Sequence, residues 1–174
     1  MNFNENNSNQ NWSELSATEK KDYAIFHKNS YEDDLRHSEK NLLEFPRWSI
    51  ISGYYCMHDL TKLFLAEKFN IKISSPNIHS KTIFALEYFV KKDELKTRLL
   101  ELLKEADELY YSAERLKEKT IPTLLKKGKQ ERGKAQYYSD ENNKKIDSQR
   151  ASYFLDTVVK PYVRIICELI KNAD

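Results

Sequence analysis

Three observations predict an all-α fold, an antiparallel bundle of four to five helices. Apolar residues recur at three- and four-residue intervals along most of the chain. Glycine and proline number only three and four, too few for a loop-rich β architecture. The charged residues, 32% of the total, are mostly Lys and Glu, which suit solvated helix faces. The 174 residues fit a single domain. A domain of that size buries roughly 70% of its unfolded surface and needs no disulfide or metal to fold.

Residues 1–12 hold six asparagines and little that packs, so they read as a mobile tail ahead of one domain over 13–174. Ser16-Ala17-Thr18-Glu19 fits a capping box, in which Ser16 and Glu19 satisfy each other's exposed amides. A helix is expected from there to about residue 44, with Tyr23, Phe26, Ser30, Leu35, Ser38 and Leu42 along one side. Pro46 ends it and suits the first turn of the next helix.

That next helix, 47–69, is apolar on nearly every face, which places it at the bundle centre. Ser75-Pro76 predicts a cap followed by proline in the first turn of a third helix carrying Ile83, Leu86, Phe89 and Val90. In the fourth helix Leu95, Leu99, Leu102, Ala106, Leu109, Ala113 and Leu116 alternate spacings of four and three, the seam of an antiparallel bundle. From 120 to 145 this order is lost and the chain turns polar. A last helix over 147–171 presents Ala151, Phe154, Val158, Tyr162, Ile165 and Leu169 on one face, kinked where Pro161 removes the bond to the Thr157 carbonyl.

Cys56 and Cys167 lie in apolar helical patterns and read as reduced core thiols. No apolar run approaches the roughly 20 residues of a membrane span, and no basic-then-apolar leader is present, so a cytoplasmic protein off the membrane is expected. Charge is unevenly spread. Residues 14–44 carry eight acidic and five basic side chains, whereas 115–134 carry eight basic and two acidic. The later segment therefore points to an anionic partner or to a solvated face.

Glycine-rich phosphate loops, Cys-x-x-Cys pairs, His-Glu-x-x-His and Gly-x-Ser-x-Gly are all missing from the sequence. The histidines, at 27, 37, 58 and 79, do not stand at ligand spacings within one helix, so neither a metal nor a cofactor is implied. His58 suits a hydrogen-bonded core position or a functional one, and His79 either helps a helix cap or contacts a ligand.

The run Ser52-Gly53-Tyr54-Tyr55-Cys56-Met57-His58-Asp59-Leu60-Thr61-Lys62-Leu63-Phe64-Leu65 resembles the central helix of HEPN domains (higher eukaryotes and prokaryotes nucleotide-binding). His79-Ser80-Lys81 then resembles the His-Lys signature that opens that family's third helix, and a long fourth helix follows. Arg132-Gly133-Lys134-Ala135-Gln136-Tyr137 is similar to its Arg-x-x-Ala-Asp-Tyr pattern. Together these pieces cover roughly residues 31–170. The resemblance implies a helical bundle that often dimerises, acting as a metal-independent ribonuclease or as a partner in a toxin–antitoxin pair.

Nuclease members carry Arg, four to six residues, then His. Here Tyr137, Tyr138 and Ser139 stand where the histidine would fall after Arg132. An arginine there would hold the scissile phosphate bidentately. A tyrosine, with a pKa near 10, is a poor base at neutral pH but still stacks on a base or binds a phosphate. The resemblance thus makes Arg132, Tyr137 and Tyr138 the candidate catalytic set. Lys126, Lys127, Lys129, Arg132, Lys134, His79, Lys81 and His58 are the candidate RNA- or anion-binding set.

Three functions compete. One is RNA binding, with slow or absent cleavage. Another is a non-catalytic module, a homodimer or the partner of a nucleotidyltransferase-like protein. The third is a nucleotide or small-anion site where His58, Tyr55 and His79 converge between helices.

Overall fold

The computed structural model describes residues 12–128 and 147–172, the stretch 114–128 by its backbone alone. Among the described residues the chain is an all-α bundle. Its helices are α1 (Ala17–Lys40), α2 (Pro46–Phe69), α3 (Ile78–Phe89), α4 (Asp93–Gly128) and a last rod of α5 (Ser148–Phe154), a π-helical turn (Leu155–Val159) and α6 (Lys160–Lys171). A two-residue antiparallel pair, β1 (Ser13–Glu14) with β2 (Ile71–Lys72), is the one strand feature among them. It is clamped where Leu15 N–H donates to the Asn70 carbonyl and the Asn70 side-chain amide donates back to Leu15.

The capping box forms: Glu19 N–H donates to Ser16 Oγ, and Glu19 accepts from the Ser16 amide. The inward face of α1 differs from the expected one. Ala24, His27 and Ser38 are buried, whereas Phe26 is 62% exposed. The helix turns its small and polar residues inward because α2 approaches closely. Ser38 donates to the Ser49 carbonyl at 2.8 Å across that contact. Helix α1 also stops at Lys40 rather than near 44.

Helix α2 starts with Pro46 in its first turn and buries fifteen of its 24 residues, which makes it the axis of the bundle. Trp48 and Tyr55 are exceptions to its apolar burial and face outward. The approach to the last rod is tight enough to require glycine. A Cβ built on Gly53 would lie 2.8 Å from Phe154 and 2.9 Å from Val159. Deeper along α2, buried Tyr162 meets Thr61 at 2.6 Å, and Thr61 in turn donates to the Met57 carbonyl.

The start of the third helix corrects the sequence expectation. Ser75-Pro76 lies before it, joined by a cis peptide bond, and the cap is Asn77 in the left-handed conformation at φ 59°. Asparagine tolerates that region better than most side chains. Of the predicted seam on α4, Leu99, Leu102, Ala106, Leu109 and Ala113 are buried, with Leu103 added; Leu95 is partly buried, and the Leu116 side chain lies outside the described set. Helix α4 does not end near 120 but continues through Pro122 to Gly128.

Pro161 leaves its mark one turn earlier than a simple kink would. The π-helical turn over Leu155–Val159 absorbs the proline's missing donor and brings Leu155 and Val159 into the core beside Phe154 and Val158. Beyond it Ile166, rather than Ile165, is fully buried. Trp12, assigned to the tail by sequence, packs on Phe84, Tyr88 and Phe89 with ring centroids 5.2–5.9 Å apart. Residues 1–11 lie outside the described set. Both cysteines are free, and no helix among the described residues is long and apolar enough to cross a membrane.

Candidate nucleotide cleft at the start of the third helix

Tyr54 and His58 stand one turn apart on α2, so their rings share a face and meet edge-on at 4.5 Å. That face looks toward the start of α3 and the middle of α4. The Tyr54 hydroxyl lies 2.9 Å from His79 Nδ1 and donates to Asp107 Oδ1 at 3.0 Å. A phenol has one proton to give. Since it goes to Asp107, His79 must donate from Nδ1, and its Nε2 is left as an acceptor.

The rings around this joint are layered. Tyr110 stacks on Tyr54 at 4.1 Å and 14°, and His58 stacks on His79 at 4.4 Å and 19°. Tyr55 reaches the Tyr110 hydroxyl at 3.4 Å. Burial pushes the Tyr54 phenol far above its ordinary pKa, with the Asp107 charge adding to it. Burial also pushes both imidazoles down, His58 much further than His79, and the Lys62 charge acts on both in the same direction. Both rings are therefore neutral at pH 7. His58 is wholly buried, and neither ring nitrogen has a hydrogen-bond partner among the described residues.

A cleft of about 320 Å³ opens beside this joint, lined by Ser75, Asn77, Ile78, His79, Ser80 and Tyr111. It is shallow and widely open to solvent. Its floor is the N-terminus of α3, which has no side-chain cap. The amides of Ile78, His79 and Ser80 have no acceptor among the described residues, whereas the Lys81 amide bonds back to the Asn77 carbonyl. Unfilled amides at a helix N-terminus attract anions. Tyr111, 54% exposed, offers a ring face on the opposite wall.

Of the residues singled out by sequence, the structure brings His58, Tyr55 and His79 together. Lys81 stands in the first turn of α3 and donates to the Ser74 carbonyl at 3.2 Å, bracing the segment that leads into the cleft. Lys126 and Lys127 fall on the last turn of α4, where only the backbone is described. Lys129, Arg132, Lys134, Tyr137 and Tyr138 lie outside the described residues. Sequence reasoning missed Tyr54, Asp107, Tyr110 and Tyr111 as site residues. The signal was present in part: Asp107 and Tyr111, one turn apart on α4, lie off its leucine seam, whereas Tyr110 stands at the seam's edge, its direction between those of Leu99 and Leu103.

A second polar cluster pins α1 to α2. Asp59 Oδ1 meets His27 Nδ1 at 3.2 Å and Lys62 Nζ at 2.7 Å. Burial alone would raise the Asp59 pKa, but these two partners hold it below the usual carboxylate value. Nearby Asp34 has no hydrogen-bond or ion-pair partner of this kind among the described residues. Burial raises its pKa to about 6, with the Asp59 and Asp33 charges adding to the effect and the Lys62 charge lowering it only in part. No group of three metal-ligating side chains occurs among the described residues. Comparison with family models, curated proteins and solved structures finds no match for this chain.

Proposed function

We propose that the chain is a HEPN-like RNA- or nucleotide-binding protein, and that the cleft at the start of α3 takes the nucleotide. The observation that carries this reading is the junction of an uncapped helix N-terminus, His79 and the exposed Tyr111 ring in one 320 Å³ space. A phosphate is satisfied by the amides of residues 78–80, and a base by the ring of Tyr111. The order of the sequence motifs supports the family assignment. The basic stretch from Lys126 to Lys134 would guide a longer RNA strand.

Calorimetric titration with adenosine monophosphate tests the cleft directly. Binding that weakens at least tenfold in Tyr111→Ala supports it, while the absence of heat at millimolar nucleotide removes it.

A second reading, an interaction module pairing with itself or with a nucleotidyltransferase-like partner, is favoured by the corner between α1 and α2. Leu43, Phe45 and Trp48 are 78%, 54% and 49% exposed there. Light scattering that gives a dimer mass, reduced to a monomer by Leu43→Ser with Trp48→Ser, would support it. A monomeric wild-type chain would remove the homodimer.

A further inference from the structure

Two guanidinium groups at one end of the bundle have nothing to neutralise them. Arg47, in the first turn of α2, and Arg150, in the first turn of α5, are both half-buried. Arg47 Nε and Arg150 Nη1 are shielded from water and have no hydrogen-bond partner. Neither arginine forms an ion pair among the described residues, and even Glu44, three positions before Arg47, does not pair with it. The two share an end because the last rod runs parallel to α2. Phe154 and Val159 meet Gly53, Tyr162 meets Thr61, and Lys68 donates to the Asn172 carbonyl. Lys62 is the contrast, a largely buried cation that lies 2.7 Å from Asp59. A shielded donor without an acceptor is unfavourable, so an acceptor from outside the fold fits at Arg47.

The neighbours of Arg47 narrow the chemistry of that acceptor. Its guanidinium carbon stands 5.8 Å from the centroid of the Trp48 ring. Trp48 belongs with Phe45 and Leu43 to the exposed corner between α1 and α2, and Leu43 is the most exposed large apolar side chain among the described residues. Arginine beside tryptophan and phenylalanine is the composition of a protein-binding centre. A nucleic-acid strand would use the charge and the rings but gains nothing from an exposed leucine. A carboxylate matches the flat guanidinium fork with two parallel hydrogen bonds. We infer that this corner docks a protein segment in which an Asp or Glu stands beside bulky apolar residues. The carboxylate lies on Arg47, and the apolar side chains lie against Leu43, Phe45 and Trp48. Arg150 adds positive charge at the same end, which favours acidic partners over basic ones. The inference rests on the interaction-module reading and supplies the partner's chemistry.

The test selects random dodecapeptides, displayed on phage, against the full chain. Enriched peptides are then synthesised and titrated by fluorescence anisotropy at pH 7.5. The expected consensus holds an acidic residue flanked by large apolar ones. Arg47→Ala and Trp48→Ala should each weaken the consensus peptide at least about tenfold, with far-ultraviolet circular dichroism unchanged. Arg47→Lys keeps the charge but not the fork and should still lose about threefold. Changing the peptide's acid to its amide should cost the wild-type chain about fivefold and the Arg47→Ala variant little, because the two changes remove one contact.

No enriched peptide, or a consensus that binds Arg47→Ala as tightly as the wild type, overturns this inference. If the wild-type chain is then a dimer that Leu43→Ser with Trp48→Ser splits, the interaction-module reading stands with a second copy on the corner. A monomer removes that reading too. Binding of a single-stranded RNA oligonucleotide that Arg47→Ala and Trp48→Ala abolish, in the absence of any such peptide, also overturns the inference and assigns the corner to nucleic acid.

Discussion

Tyr54 and His79 are joined at 2.9 Å through the phenol oxygen and Nδ1, a bond that ties α2 to α3 and, through Asp107, to α4. The bond contributes to stability. The phenol is buried and both of its partners are polar, so its loss leaves them seeking water in a narrow space. Tyr54→Phe should cost about 1–2 kcal/mol in urea unfolding. A change under a few tenths would show that the joint contributes nothing to the fold.

Gly53 offers a sharper test of the packing. A methyl group there would press on Phe154 and Val159, which are themselves fully buried and cannot move into solvent. Gly53→Ala raises helix propensity by roughly 1 kcal/mol, yet should still destabilise the chain by about 1–3 kcal/mol net. A stabilised variant would mean that α2 and the last rod stand further apart than described.

Buried His58 makes stability depend on pH in a definite direction. His58 binds its proton far less readily in the folded chain than in the unfolded one. As pH falls through about 6.5 the unfolded chain takes up a proton that the folded chain refuses, so stability drops. Above that value the effect is absent. Unfolding midpoints between pH 7.5 and 5 should therefore fall in the wild type and fall less in His58→Leu. Identical slopes would show that His58 takes up its proton as readily in the folded chain as in the unfolded one.

Asp34 works in the opposite sense. Its folded pKa of about 6 lies above its unfolded value, so its contribution is favourable at low pH and lost as pH rises through 6. The carboxylate is only partly buried, which mutes the size of the effect. Asp34→Asn should raise the melting temperature at pH 7.5 and leave it unchanged at pH 3.5. The reverse pattern would place a cation beside this carboxylate.

How far the sequence reveals this molecule depends on whether a residue's neighbours are near in the chain. The capping box at Ser16, proline in the first turn of α2 and the leucine seam of α4 are local patterns, and all three are legible. Burial of His27 instead of Phe26 is not, because it follows from how closely α2 lies against α1. The start of α3 is misread because Ser75-Pro76 is also a good cap signal, and only the tertiary path of 70–77 displaces it. His58, Tyr55 and His79 could be grouped from sequence as ring residues that might meet between helices. Their link through Tyr54 to Asp107, fifty-three positions further on, could not.

Two segments of the chain carry features suited to nucleic acid, and they separate experimentally. In the proposed reading the amides and rings at the start of α3 would hold one nucleotide by shape, whereas the basic residues after α4 would hold a strand by charge. Charge contacts with single-stranded RNA release counterions, so the logarithm of affinity falls with the logarithm of salt by about 0.7 per phosphate. Replacing Lys129, Arg132 and Lys134 with alanine should therefore reduce the slope for an RNA oligonucleotide by roughly two and leave mononucleotide binding untouched. Tyr111→Ala should do the reverse, weakening the mononucleotide while preserving the salt slope. Fluorescence anisotropy across 50–300 mM salt measures both. If the triple variant leaves the RNA slope unaltered, the basic segment does not touch the strand. If Tyr111→Ala changes the slope instead, the cleft itself is the strand's path.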